Sequence, residues 1–312
     1  MLLSHRPATP ADFNAASAFL APWYGLSSEE LAQAWPTLLD REGVWSLVIE
    51  DVSEAPRPVS LSLSVFVSDR LADRIEAGRC PRYGNEIVTR FLTRGDEPLS
   101  IERIRVAHHG SGLNLASMHT VGLDVELGHS STGIVSELRA RLCFEALRGY
   151  NIKRCLREVY SNQALNSYLA GGWKMRDDYS RFFGQSGEGP TLQRPFLLGV
   201  VREESDIADN GGARMAAMFH RYPIRLSLRR VHRELLGAAL EGLTDSELSS
   251  RLSLSPSAIK KRWASVYERV EGLIPGLPPA NERTDKTRGA ERRRHVLNYL
   301  RDHPEEFRPL ND

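Results

Sequence analysis

The chain has 312 residues, 41% apolar and 26% charged, and its 41 Lys and Arg nearly balance 40 Asp and Glu, for a formal net charge of +1. That composition is globular. It excludes a low-complexity or collagenous chain, and the balance excludes a protein that coats a polyanion along its whole length.

No apolar run approaches the roughly 18 to 20 residues of a membrane span. The opening Met1-Leu-Leu-Ser-His-Arg-Pro7 lacks the apolar core of a secretory signal. Cys80, Cys143 and Cys155 give no CxxC spacing and no even set, which fits a reducing compartment. The expectation is a cytoplasmic protein with no membrane partner and no metal site; Cys143 and Cys155 read as small core residues.

Residues 11–20 and 28–39 carry helical apolar spacing, the second opened by Ser28 ahead of Glu29 and Glu30. Residues 44–50 and 59–67 read as strands, the latter with period-2 alternation through Val59-Ser-Leu-Ser-Leu-Ser-Val65. Residues 119–127 form another strand candidate, in which Asp124 and Glu126 alternate with apolar neighbours. Ile134, Leu138, Leu142 and Ala146 mark a long helix. Then follow a strand at 154–160, a helix at 163–170, and strands at 173–183 and 195–201. Strands and helices interspersed in this way predict a mixed α and β first part. His108 and His109 precede Gly110 in a predicted loop with no third ligand nearby.

The polar stretch Glu203–Ala213 reads as a linker. The boundaries predicted are a first domain over 1–203, a linker over 204–225 and a second domain over 226–312. From Leu226 onward, 16 Lys and Arg face 13 Asp and Glu; the first 225 residues carry 25 against 27. The second part is the basic one.

Three helix signals follow one another there. Leu235, Leu236, Ala239 and Leu240 form a first apolar stripe that stops at Gly242. Thr244-Asp-Ser-Glu247 is a capping box, in which the Thr hydroxyl and the Glu carboxylate satisfy each other's backbone N–H groups. After a tight turn at Ser253 and Leu254, Ser255 caps a third helix with Pro256 at its first position. On that helix Ile259, Trp263, Val266 and Val270 share one stripe. Ser257, Lys260, Lys261, Ala264 and Ser265 share the other side, small and basic as a major-groove reader requires. A three-helix packing module without DNA is the alternative. Residues 288–301 read as a further helix, whose Arg292, Arg293 and Arg294 either track phosphates or form a solvated face.

This segment resembles the helix-turn-helix of LuxR-type bacterial transcription regulators. The matching residues are Arg233-Glu234, Glu241-Gly-Leu-Thr244, Glu247-Leu248, Leu252, Leu254-Ser255, Ala258-Ile-Lys260, Val266 and Val270, without a gap over about 40 residues. Arg262 stands where the family often has His or another polar residue, and Trp263 is bulkier than usual. The resemblance implies duplex DNA as partner, a homodimer, and DNA-binding roles for Ser255, Ser257, Lys260, Lys261, Arg262, Ala264 and Ser265.

The first part is similar to GNAT-type N-acetyltransferases. Arg6, Ala8, Thr9 and Asp12 match the family's opening, and residues 156–160 with Ala164, Tyr168, Gly172 and Trp173 match its later half. The likeness implies an acetyl-CoA cradle in the loop before the long helix, with Gly128, Ser130, Ser131, Thr132 and Gly133 as the cofactor-binding residues, and Tyr168 as general acid. The family's cradle needs Arg or Gln, then Gly, then Gly or Ala. Here Ser130 and Val135 replace the outer positions and only Gly133 fits.

The expected fold class is α+β: a GNAT-like mixed sheet flanked by helices, plus a C-terminal all-α module. The expected function is a DNA-binding regulator whose first domain is non-catalytic, binds no cofactor, and senses a small molecule or mediates contacts. The alternative is an active acetyl-CoA-dependent N-acyltransferase fused to a DNA-binding module.

Overall fold

The computed structural model describes residues 2–24, 26–41, 43–122, 132–183, 195–205, 212–274, 276–277 and 285–308. They form two compact units, Met1–Ala146 with Asn151–His220, and Leu147–Tyr150 with Arg221–Asp312.

The first unit is built on a seven-stranded mixed sheet. Its strands are β1 (Leu3–Arg6), β2 (Val44–Asp51), β3 (Arg57–Val67), β4 (Leu113–Gly122), β5 (Ile152–Val159), β6 (Lys174–Asp177) and β7 (Phe196–Val201), in spatial order β1-β2-β3-β4-β5-β7-β6. The β4–β5 pair is parallel and every other pair is antiparallel. A parallel pair requires a crossover, here supplied by a long helix between the two strands.

Alternation on β3 sends Leu61 and Leu63 to one face. There they meet Phe13 and Leu20 of α1 (Pro10–Tyr24) and Leu31, Trp35 and Leu38 of α2 (Ser28–Leu38) in one apolar cluster. The cap of α2 is Ser27 rather than the expected Ser28. Its hydroxyl accepts from Glu30 N while Glu30 accepts from Ser27 N. Between β3 and β4 the chain inserts α3 (Asp69–Glu76), α4 (Tyr83–Arg94) and α5 (Ile101–His109), none of them predicted. His108 and His109 therefore end a helix instead of lying in a loop. Asn151 fixes the first, its N–H donating to His108 Nδ1 and its side chain to the His108 carbonyl.

Other expectations change. Strand β1 was not predicted, and β4 starts at Leu113, six residues before the expected 119. The expected strand over 173–183 is a short β6 followed by a turn. Asp177 accepts from Tyr179 N and Asp178 from Ser180 N, Tyr179 has φ 52°, and a helical turn follows at Ser180–Phe183.

The motif at the start of the chain is an ion-pair staple. Arg6 grips Asp12 at 2.7 and 2.9 Å and Glu50 at 2.7 Å, and Asp12 accepts from both the backbone and the hydroxyl of Thr9 at the head of α1. The bond from Arg6 is the main reason the Asp12 carboxyl titrates at about 2 instead of 3.8. A depressed carboxyl stabilises the fold above its ordinary value, and that stability is lost as pH falls through about 4 towards 2. Because Arg6 is 37% exposed, solvent screening reduces the effect. Asp12→Asn is expected to lower stability at pH 7 by about 1–2 kcal/mol and to flatten acid unfolding in that window, read by denaturant titrations at several pH values.

The second unit has a core of its own. The described elements over 221–308 are α-helices and one 3-10 turn. Leu235 and Leu236, Leu248, then Ile259, Trp263, Val266 and Val270, and finally Val296, Leu297 and Leu300 pack into one apolar cluster. Glu306, 1% exposed in the 3-10 turn Pro304–Phe307, accepts from Arg225 N, Leu226 N and Tyr299 Oη. A buried carboxylate needs this number of donors.

Candidate functional site

The second unit presents a polar face on a helix. Thr244 and Glu247 form the expected capping box of a seven-residue helix, Asp245–Arg251. The chain then turns at Ser253, whose φ of 52° is left-handed. Ser255 accepts from Ala258 N and starts the helix Pro256–Leu273. Ile259, Trp263, Val266 and Val270 are buried, while Ser255, Ser257, Lys260, Lys261, Ala264 and Ser265 are exposed.

Arg262 is placed differently from these six. It is half-buried, with Nη1 3.8 Å from Glu234 and 3.5 Å from the Val231 carbonyl. Ser265 Oγ lies 3.3 Å from His232 Nε2. Two of the three consecutive arginines of the last helix, Asp285–Asp302, also turn inward. Arg293 lies over the Trp263 ring at 4.9 Å and pairs with Asp245 at 2.8 Å, and Arg292 pairs with Glu271 and lies over Tyr267. These two hold the helices together through cation–π and ionic interactions. Arg294 is exposed.

The second candidate site flanks β5 in the first unit. Of the five residues expected to cradle a cofactor, Gly128, Ser130 and Ser131 lie outside the described residues, as do Asp124 and Glu126. Thr132 begins the helix Thr132–Leu147, and a Cβ built on Gly133 would meet nothing within 4 Å. Tyr168 is packed between cation and ring: the Arg157 guanidinium lies 4.5 Å over it and Trp173 meets it edge-on at 5.7 Å. Arg157 also donates to Ser117 Oγ at 2.6 Å.

On the opposite face of β5, Glu158 accepts from Arg82 N at 2.7 Å and Tyr160 Oη at 3.0 Å. Burial pushes its carboxyl up to about 7 in spite of these donors. Two non-glycine residues with left-handed backbone, Arg82 and Tyr179, stand beside it. Sequence reading missed Glu158, because a carboxylate on a predicted strand reads as an exposed charge; its place between the turns at Arg82 and Tyr179, both far from it in the chain, has no local signal. Cys155 is buried as expected and Cys143 half-buried. Among the described residues no group of three metal-ligating side chains occurs, and no helix is long and apolar enough to cross a membrane.

No protein-family model matches the chain, and no curated protein does. Among solved structures, the chain is similar to Arabidopsis thaliana NAA60 in complex with acetyl-CoA, at 11% identity and a TM-score of 0.39, over 65% of this chain and 99% of that one. It is also similar to an acetyltransferase of the GNAT family from Streptococcus pneumoniae, at 16% identity and a TM-score of 0.37, over 64% and 99%. A third likeness is to aminoglycoside acetyltransferase AAC(6')-Ib with coenzyme A, at 11% identity and 0.34, over 66% and 99%. At these scores the likeness assigns no residue a role.

Proposed function

We propose that the second unit binds duplex DNA by laying the helix Pro256–Leu273 in the major groove, as part of a transcription regulator that acts as a dimer. The observation that carries this reading is the division of that helix. Four apolar residues are buried, and the opposite side offers two lysines among small residues directly after a capped N-terminus. Lys260 and Lys261 can reach phosphates or guanine edges, and Ser257 and Ala264 let the backbone come close to base edges. The free N–H groups of the first turn favour a phosphate. Arg262, engaged with Glu234, supports the helix rather than the groove. Two copies would meet half-sites about 34–36 Å apart.

Fluorescence anisotropy of the full chain on labelled duplex tests this. Saturable binding is expected, with log affinity falling linearly in log salt by about 0.9 for each phosphate neutralised. Binding with no salt dependence, or none at all, would reject it.

The second reading is acetyl-CoA-dependent acyl transfer by the first unit. One observation favours it: Glu158, a carboxyl held at about 7, is suited to take up a proton near neutral pH. Calorimetric titration with acetyl-CoA separates the readings. One-to-one binding and thiol release with an amine would support the transferase, with the rate rising through pH 7 as Glu158 ionises. Neither heat nor thermal shift would leave the first unit as a sensor of something else.

A further inference from the structure

The face of the sheet opposite α1 and α2 has an unusual floor. Alternation on β3 places Ser60, Ser62 and Ser64 on that face, and all three are buried, at 1%, 3% and 3% exposure. A period-2 strand with serines at every second position ordinarily turns the serines to water. Here they are covered, because Leu47 and Ile49, the β2 partners of Ser62 and Ser60, pack against Val135 and Leu142 of the helix Thr132–Leu147. The register continues the polar row across the sheet: Ser64 pairs with Ser117 on β4, and Ser117 with Arg157 on β5.

Two features of this floor are uncompensated among the described residues. Ser62 Oγ is buried and has no hydrogen-bond partner there. Arg139, half-buried on the covering helix, meets hydroxyls, those of Ser60 and Ser136, each at 3.4 Å. Burial pushes its guanidinium below its ordinary value, and no described carboxylate offsets this. Arg157 is likewise lowered to about 10, first by burial and next by Arg139, so the two cations sense each other. An orphaned hydroxyl costs about 1–3 kcal/mol and buried charges are ordinarily paired. An anion at this place would satisfy both.

We infer that Arg139, Ser60 and Ser62, beside the Ser117–Arg157 pair, form a binding site for the oxyanion group of a small metabolite, a phosphate or a carboxylate, under the helix Thr132–Leu147. The site lies two turns into that helix, away from its N-terminus, and needs none of residues 123–131. It goes beyond the DNA-binding reading, since it gives the first unit a ligand class whether or not the second unit reads DNA. The guanidinium fork supplies two parallel donors to the oxyanion, and the serine hydroxyl a third.

The test is calorimetric titration of the full chain with inorganic phosphate and, separately, with acetate, into the millimolar range. One saturable site is expected for at least one of them; phosphate alone would indicate a phosphorylated ligand, acetate alone a carboxylate. Arg139→Gln should weaken that binding at least about 10-fold, Arg139→Lys less, and Ser62→Ala several-fold. Ser62→Ala should also raise the Tm of the ligand-free protein, because it removes the orphaned hydroxyl, and should reduce the Tm gain on adding the anion. Arg141→Gln, exposed on the same helix, should bind as the parent does. Unaltered anion binding by Arg139→Gln and Ser62→Ala, or no saturable binding of either anion, would overturn the inference. The Tm of each variant reports whether it has folded.

Discussion

Replacing Lys260 and Lys261 together by Ala is expected to weaken duplex binding on the order of 100-fold, at about 1–2 kcal/mol for each lysine removed from the DNA. Both side chains are exposed, and surface changes of this kind rarely move stability by more than about 0.5 kcal/mol. Thermal unfolding should therefore stay unchanged while the salt slope becomes shallower. The pair separates the two sides of the helix: the effect falls on DNA and not on the fold. Lys261→Arg should keep the phosphate attraction and bind nearly as well as the parent. Anisotropy on one labelled duplex, at two salt concentrations, reads both quantities. Undiminished binding by the double variant would remove this helix from the groove.

Trp263→Ala has the opposite signature. Trp263 is 5% exposed, stacks on Tyr267 at 5.6 Å and carries Arg293 over its face at 4.9 Å. Truncating a buried Trp costs about 3–5 kcal/mol, comparable with the whole stability of a small domain. The second unit is expected to unfold well below the parent's midpoint, and DNA binding to disappear with it. Trp263→Phe should be milder. It keeps most of the ring packing and removes an indole N–H that has no partner among the described residues. Circular dichroism melts of both variants check the order. A Trp263→Ala protein that melts like the parent would mean the residue faces outward and the helix is rotated from the orientation described.

The sequence was most informative where physical chemistry is local. The capping box at Thr244 and Glu247, the Ser255 cap with Pro256, and the stripe of Ile259, Trp263, Val266 and Val270 are all set by residues within one or two helical turns, and each stands where it was expected. Single-helix reasoning could not foresee Arg262, Arg292 and Arg293, whose partners Glu234, Glu271 and Asp245 lie on other helices. The same division runs through the first unit. The crossover helix and β5 were legible from their periodicity. The insertion of α3 to α5 was not, because short half-covered helices have apolar stripes too brief to stand out. Strand β4 has no clear signal over Leu113–Met118 because Asn114 and Ser117 interrupt its apolar pattern. Both residues answer partners brought by other elements, Asp69 and Arg157. The serines of β3 alternate in the sequence as they do in the strand, yet alternation alone does not say that a helix covers them. Glu158 and Arg139 take their character from burial, which only the assembled sheet creates.

The measurement that bears most directly on the proposed function is repeated selection of random-sequence duplexes by the full chain, with sequencing of the retained pool. The account predicts enrichment of a short motif, repeated about one helical turn apart when two copies bind together, and disappearance of that enrichment with the Lys260 and Lys261 double variant. A pool that stays random over successive rounds, or that is enriched equally by the double variant, would contradict it.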